Sequence, residues 1–221
     1  MSQSEAIAYC LVAAFAAYAI GATPFGYLAG KMRGVDIRQF GSGNIGATNV
    51  SRVLGKPVGM PVFILDIFKG WLPVMLTRWI LGARGIPSDW PAISAAVGTV
   101  LGHNYTFWLH FKGGKGIATS AGVLAALLPI PLAAAVSCWL VLFFSTRYVA
   151  VASIGAALMV AVVPVAMHVW SENGEPGLPL VGFALLLGLL AVWRHRSNIR
   201  RLVNGTEHRF VRNSSPDPTA P

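Results

Sequence analysis

The chain has 221 residues, of which 55% are hydrophobic and only 11% charged, and its formal net charge is +9. A soluble domain carries roughly 25% charged residues, so a soluble globular protein is excluded. Several separate apolar runs, each long enough to span or enter a bilayer, predict an all-α integral membrane protein. The basic excess lies in short loops between those runs and in the C-terminal tail, which points to membrane topology and anionic ligands rather than nucleic acid.

The first run is Ala6 to Ala29, with Gly21 and Pro24 near its inner end. Glu5 stands where a secretory signal would be positive, so this run is expected to be retained. A polar loop follows from Gly30 to Lys56, and Pro57 and Pro61 suit the start of the next helix. The second run, Val62 to Leu81, contains Asp66 and Lys69 on one helical face. A third, Trp90 to Phe111, contains His103 and leads into Lys112-Gly113-Gly114-Lys115-Gly116. The stretch Ile117 to Ser145 is interrupted by Pro129-Ile130-Pro131, and Val149 to Trp170 and Leu178 to Trp193 complete the apolar set. Residues 1–212 read as one membrane-embedded domain, and the Ser/Pro-rich segment 213–221 reads as a disordered tail. Cys10 and Cys138 fall inside apolar runs and read as small hydrophobes.

Charge sets the topology. If Ile117 to Ser145 were one helix, the basic tail and the basic loop after the first run would lie on opposite sides, against the positive-inside rule. Splitting it at Pro129 gives about seven segments, some short or broken, with the N-terminus outside and the C-terminus cytoplasmic. All basic residues except Lys69, Arg78 and Arg84 then face one side, and Glu5, Asp89, Glu172 and Glu175 face the other. No internal repeat points to an inverted-repeat transporter.

Three polar clusters fall on that basic side. Gly41-Ser-Gly-Asn-Ile-Gly-Ala-Thr-Asn-Val-Ser-Arg52 combines the glycines Gly41, Gly43 and Gly46 with uncharged donors at Ser42, Asn44, Thr48 and Asn49. Glycines let backbone N–H groups converge on an anion, and Arg52 can grip it bidentately. Gly113, Gly114 and Gly116 around Lys112 and Lys115 make a second anion cradle. It departs from a nucleotide P-loop, because Leu109 occupies the first glycine position and Gly116 replaces the magnesium-binding hydroxyl. His195, Asn198 and Arg201 share one face if the last helix continues inward, whereas Arg194, Arg196 and Arg200 point toward lipid headgroups. Asp66 and Lys69 are either a structural ion pair or functional intramembrane charges. His103 is either a site residue or a satisfied buried histidine, and Ser153 lies one turn into its helix, within reach of the site. No metal-ligand spacing is present, and no base can be assigned to Ser42 as a nucleophile.

These motifs, together with Asp66-Ile-Phe-Lys-Gly70, Gly102-His103 through Thr119, and His195 through Glu207, resemble in order the bacterial acyl-phosphate:glycerol-3-phosphate acyltransferases. Thr106 stands where that family tends to have proline. The resemblance implies transfer of a fatty acyl group from acyl phosphate to the sn-1 hydroxyl of glycerol 3-phosphate, giving lysophosphatidic acid and inorganic phosphate. It implies no metal, cofactor or nucleotide, a monomer as the starting expectation, and a site at the cytoplasmic face of the bacterial inner membrane. By position, Ser42, Arg52, Lys115, His195 and Asn198 would hold the phosphates and orient the hydroxyl. Asn44, Thr48, Asn49, Lys69, His103 and Lys112 would shape the cavity, and Glu207 would brace the third motif. Acyltransferases of the His-x4-Asp type are excluded, because none of the five histidines has aspartate five positions on. A phosphatidyl transferase would need an array of aspartates for metal, and Asp66 is the single aspartate deep in a helix.

Overall fold

A computed structural model describes residues 2–210, so the expectation for the 213–221 tail lies outside the described residues. The described chain is helical throughout. α1 (Gln3–Gly21) opens with a capping box, in which Ser2 Oγ accepts from the Glu5 N–H at 3.3 Å and Glu5 accepts from the Ser2 N–H at 2.7 Å. The expected first run breaks at Ala22–Pro24, and α2 (Phe25–Met32) carries the chain on. The polar loop of the first motif is half helical, since it contains α3 (Ala47–Leu54). Then follow α4 (Lys56–Gly82), α5 (Asp89–Asn104), α6 (Ile117–Leu127), α7 (Pro129–Thr146), α8 (Val149–Trp170), α9 (Leu178–Arg194) and α10 (Arg196–Val203).

Two expectations about helix boundaries are corrected. Pro61 lies inside α4 and not at its start, which is occupied by Pro57. The last apolar helix does not continue straight inward. It breaks at His195 and bends by 49° into α10. Thr106 introduces no new kink: its φ of −66° is one that proline itself would adopt, and its hydroxyl donates to the Ala22 carbonyl at 2.5 Å.

Gln3–Met32, Lys56–Gly82, Pro129–Thr146 and Val149–Trp170 are long and apolar enough to cross a bilayer, and α9 with α10 makes a fifth if the bent pair counts as one. α5 and α6 are shorter, at 16 and 11 residues. Large apolar side chains such as Phe15, Trp79, Trp170 and Leu186 face outward, as lipid contact requires. α6 and α7 are separate helices that meet at Leu128, where the Pro129–Pro131 signal predicted a break.

Small residues set the packing. α1 lies along α5, with Gly98 against the Ala14 backbone and Gly102 against Tyr18 and Ala22. α4 lies along α6, with Gly70 against Thr119 and Gly122 against Ile67. Association inside a bilayer gains little from the hydrophobic effect, so close backbone approach supplies the contact energy. The largest apolar cluster joins these four helices to α7, α8 and α9 through Val74, Ala96, Val123, Leu124, Val160 and Leu187. A second, smaller cluster of Ile37, Ile45, Val50, Val62 and Leu109 anchors the first motif.

A Cβ at Gly122 would run into the Ile67 carbonyl, whereas one at Gly82 would meet open space. Gly122→Ala should therefore lower stability by about 1–3 kcal/mol through overpacking, and Gly82→Ala should leave the thermal midpoint of the detergent-solubilised protein within error.

Candidate functional site

The first motif is held from within by Asn49. Its side chain is buried; Oδ1 accepts the Ser42 N–H at 2.8 Å, and Nδ2 donates to the carbonyls of Phe40 and Ile37 at 3.0 and 3.2 Å. Asn49 thus pins a turn that Gly41 and Gly43 make possible with φ of 59° and 68°. Asn44 Oδ1 accepts the Gly46 N–H at 2.9 Å and directs the chain into α3. α3 in turn presents Thr48 at its first turn and Arg52 at its last, both on the wall of a cavity.

The second motif is a return of chain onto the end of α5. His110 and Phe111 take left-handed conformations, with φ of 52° and 60°. The N–H groups of Gly113 and Gly114 donate to the carbonyls of Asn104 and His103, both at 3.1 Å. Those two amides are therefore engaged, which differs from the expectation of a cradle open to an anion. Gly114 lies flush on the imidazole of His103, with no room for a Cβ. Arg194, expected among lipid headgroups, instead turns inward. Its guanidinium donates to the carbonyls of Asn104 and Gly113, each at 3.2 Å, and to that of Gly114, and it lies over the Tyr105 ring at 5.1 Å. The loop so fixed delivers Lys115 into the cavity, while Lys112 stays exposed outside it.

The third motif closes the ring. His195 sits at the bend between α9 and α10, buried, with Nδ1 2.8 Å from the Ala191 carbonyl. A carbonyl can only accept, so Nδ1 carries the proton and Nε2 is left as an acceptor. Asn198 Oδ1 accepts from the Lys115 ammonium. Its Nδ2 donates to Glu207 at 2.7 Å, and Arg201 Nε donates to the other Glu207 oxygen at 2.7 Å. Burial lowers the Lys115 ammonium to about 8. Arg201, Arg194 and Arg52 push it the same way, and Glu207 opposes them.

Beneath these loops Asp66 and Lys69 pair at 2.8 Å, as their spacing allowed. Lys69 also donates to the Thr23 carbonyl at 2.7 Å, tying α4 to the break after α1. His103 Nδ1 lies 3.7 Å from Asp66. Asp66 and His103 reach the cavity wall, whereas Lys69 does not.

All three motifs meet on one cavity of about 620 Å³. Ser42, Asn44, Gly46, Thr48, Asn49, Arg52, Lys115, His195, Asn198 and Glu207 line its polar end. Gly41, Gly43, Gly113, Gly114 and Arg201 lie behind that wall and shape it. Ser153 also lines the cavity, as does Trp139, whose indole donates to the Ser153 hydroxyl at 3.3 Å. Away from the polar end the wall is apolar and continues between α6, α7, α8 and α9. Sequence reasoning missed Arg194 and Trp139. The aromatic signal of Trp139 merges with an apolar helix, and Arg194 is next to basic residues that do face outward.

Arg194→Met should release three carbonyls. Hydrogen exchange at residues 113–116 should then accelerate, and stability should fall by about 2 kcal/mol, the worth of charge-assisted bonds. Arg196, which lies over the Trp193 ring, is the control: Arg196→Met should change neither reading.

Comparison with known proteins extends this geometry. The family profile described as glycerol-3-phosphate acyltransferase matches residues 11–205. The glycerol-3-phosphate acyltransferase of Desulforamulus reducens is 43% identical over 195 residues, covering 88% of this chain and 92% of its own. That of Methylorubrum populi is 44% identical, covering 87% and 89%. A crystal structure of PlsY (YgiH), an integral membrane glycerol 3-phosphate acyltransferase in its glycerol 3-phosphate form, superposes with a TM-score of 0.80 at 39% identity over 91% of this chain and 96% of that one. Its lysophosphatidic acid form superposes with a TM-score of 0.76 at 37% identity, over 91% and 95%. Matched in fold, in sequence and along almost its whole described length, the chain belongs to the glycerol-3-phosphate acyltransferase family.

Proposed function

We propose that the chain transfers a fatty acyl group from an acyl phosphate to the sn-1 hydroxyl of glycerol 3-phosphate, releasing lysophosphatidic acid and inorganic phosphate. The observation that carries this reading is a single cavity with cations and hydroxyls at one end and an apolar groove at the other. Both proposed substrates bring phosphate to the first end, and the donor brings an acyl chain to the second.

Arg52 supplies fixed positive charge and Lys115 a charge present below about pH 8, and Ser42, Thr48 and Asn198 supply uncharged hydrogen-bonding groups. Glu207 does not compete with phosphate, because Asn198 and Arg201 occupy its two oxygens. The hydroxyl oxygen of glycerol 3-phosphate attacks the acyl carbonyl carbon, and the bond from that carbon to the phosphate oxygen breaks. The leaving phosphate carries the electron pair, and the hydroxyl proton passes to His195 Nε2 or to a phosphate oxygen. Acyl phosphate is a mixed anhydride with a good leaving group, so a weak base suffices. Orientation and charge stabilisation then carry most of the acceleration. Direct transfer is favoured over an acyl-enzyme because, among the described residues, Ser42 Oγ has no histidine or carboxylate hydrogen-bonded to it. Residues 1–212 of one chain act as the unit, with every group invoked supplied by a single copy.

The same reading places the polar end at the cytoplasmic face of the bacterial inner membrane, with seven segments and the N-terminus outside. The hairpin of α6 and α7 supports it. Phe143 near the end of α7 packs on Phe210 at 5.7 Å, beside the polar end where α6 begins, so α7 returns to the side from which α6 left.

Purified protein given acyl phosphate and glycerol 3-phosphate should release inorganic phosphate at the same rate with and without chelator. Absence of release, or release only with added metal, would overturn the assignment. In the free protein Lys115 loses its charge as pH rises past about 8, so KM for glycerol 3-phosphate should climb above that pH, by up to about tenfold per unit. Lys115→Arg, which stays charged, should abolish the climb even if kcat falls. An unchanged pH profile in that variant would show that another group controls it.

A further inference from the structure

The apolar groove has a floor, and its position is fixed by a helix that stops short. α6 ends at Leu127, and the chain reverses at Leu128–Pro129. Each of the four helices around the groove presents one face to it at turn spacing: Ile117, Ala121 and Leu124 on α6, and Phe143, Leu140, Val136 and Leu132 on α7. α8 contributes Val149, Ser153, Ala156 and Val160, and α9 contributes Ala191 and Leu187. The last residues of the four stripes, Leu124, Leu132, Val160 and Leu187, pack into one apolar cluster. Immediately beyond, Leu128, Phe183 and Ala184 are buried and leave the cavity wall.

We propose that Leu124, Leu132, Val160 and Leu187 form a floor that measures the acyl chain and sets a preference for about 11–14 carbons in an extended chain. This rests on the acyl-transfer reading above. The distance from the polar end to the floor is about 12 Å along α9, from His195 to Leu187, and about 16 Å along α8, from Val149 to Val160. A zigzag of bonds near 1.5 Å advances about 1.25 Å per carbon, so those depths accept about 10–13 carbons beyond the carbonyl before the chain meets the floor. The side of the groove is open: Val136 and Leu140 line the cavity and are also exposed, at 46% and 43%. A longer chain must therefore turn sideways into lipid, and its extra carbons gain nothing from the protein. Up to the floor each carbon adds at most about fourfold to kcat/KM; beyond it the gain ceases.

The experiment uses saturated acyl phosphates of increasing length with glycerol 3-phosphate, read as phosphate release. In parallel, a series of lysophosphatidic acids is read as thermal stabilisation of the full-length protein in detergent. Val160→Ala and Leu132→Ala, on two different helices, deepen the groove and should move the break point to longer chains by about two and about three carbons, the carbons that valine and leucine lose being comparable to as many chain methylenes. Ala156→Leu, which fills the groove midway, should move it to shorter ones. Opposite shifts support the floor. Superimposable profiles in the wild type and the variants, or affinity that rises without a break through the longest chains, overturn it. If no acyl phosphate is turned over at any length, the donor assignment fails by itself, and the lysophosphatidic acid series still decides the groove.

Discussion

A helix that breaks inside a bilayer leaves carbonyls with no water to satisfy them, and this fold answers that constraint with side-chain donors at its inner breaks. At the break after α1, Thr106 donates to Ala22 and Lys69 to Thr23. Where α5 ends, Arg194 takes the carbonyls of Asn104, Gly113 and Gly114. At the end of α6, Arg78 donates to the Ala126 carbonyl at 3.1 Å. Three of these four donors are cations, which bond a carbonyl about twice as strongly as a neutral group does. Each one links a broken helix to a distant part of the chain, a helix in the case of Lys69, Arg78 and Arg194, so satisfying the backbone also assembles the bundle. The site follows from this: its loops can leave regular helical structure at the membrane edge because their carbonyls are already bonded.

The cations fall into two sets by what they face. Arg78, Lys69 and Arg194 are committed to carbonyls or to Asp66 and have little capacity left for a ligand. Arg52 and Lys115 line the cavity, and the partners they do have are amide oxygens of Asn49 and Asn198. An amide oxygen orients a cation without neutralising it. Of the two carboxylates on the cavity wall, Asp66 is paired with Lys69, and both oxygens of Glu207 are taken by Asn198 and Arg201. The low value of the Lys115 ammonium follows from the same arrangement, since burial and neighbouring arginines leave it with excess positive surroundings. A phosphate would relieve that excess, which is the electrostatic character an anion site needs.

Much of this was legible in the sequence because the signals were local. The i,i+3 pair Asp66–Lys69, the Pro129 break and the three polar clusters each depend on a few adjacent residues, and each appears where expected. The glycines around Gly41 and Gly43 read as freeing amides for an anion, whereas the N–H groups of Ser42, Gly43 and Gly46 are bonded within the loop, to Asn49, Phe40 and Asn44. What sequence could not show is contact between distant segments. Arg194 and Gly113 are far apart in the chain, and nothing in the string Arg194-His-Arg196 separates an arginine that turns inward from one that stacks on Trp193. The bend at His195 decides that, and it reverses the reading of a helix continuing straight. Likewise Lys112 and Lys115 look equivalent between glycines, but only Lys115 lies past the Gly114–His103 contact that steers the chain into the cavity.

The short α6 connects the two halves of the cavity. With only 11 residues it gives a length of about 16 Å, half of a bilayer core. Its first residue, Ile117, lies two positions after Lys115, so where the helix begins fixes the polar end. Its last precedes Leu128, so where it ends fixes the apolar depth. Both ends are held by α4, through Gly70 against Thr119 near the start and Arg78 on Ala126 near the finish, with Gly122 against Ile67 between them. A longer α6 would carry Leu124 out of the floor or push Lys115 out of reach of Asn198. The distance between the polar end and the apolar end of the cavity is therefore built into one helix and the neighbour that clamps it, and neither end can move without the other.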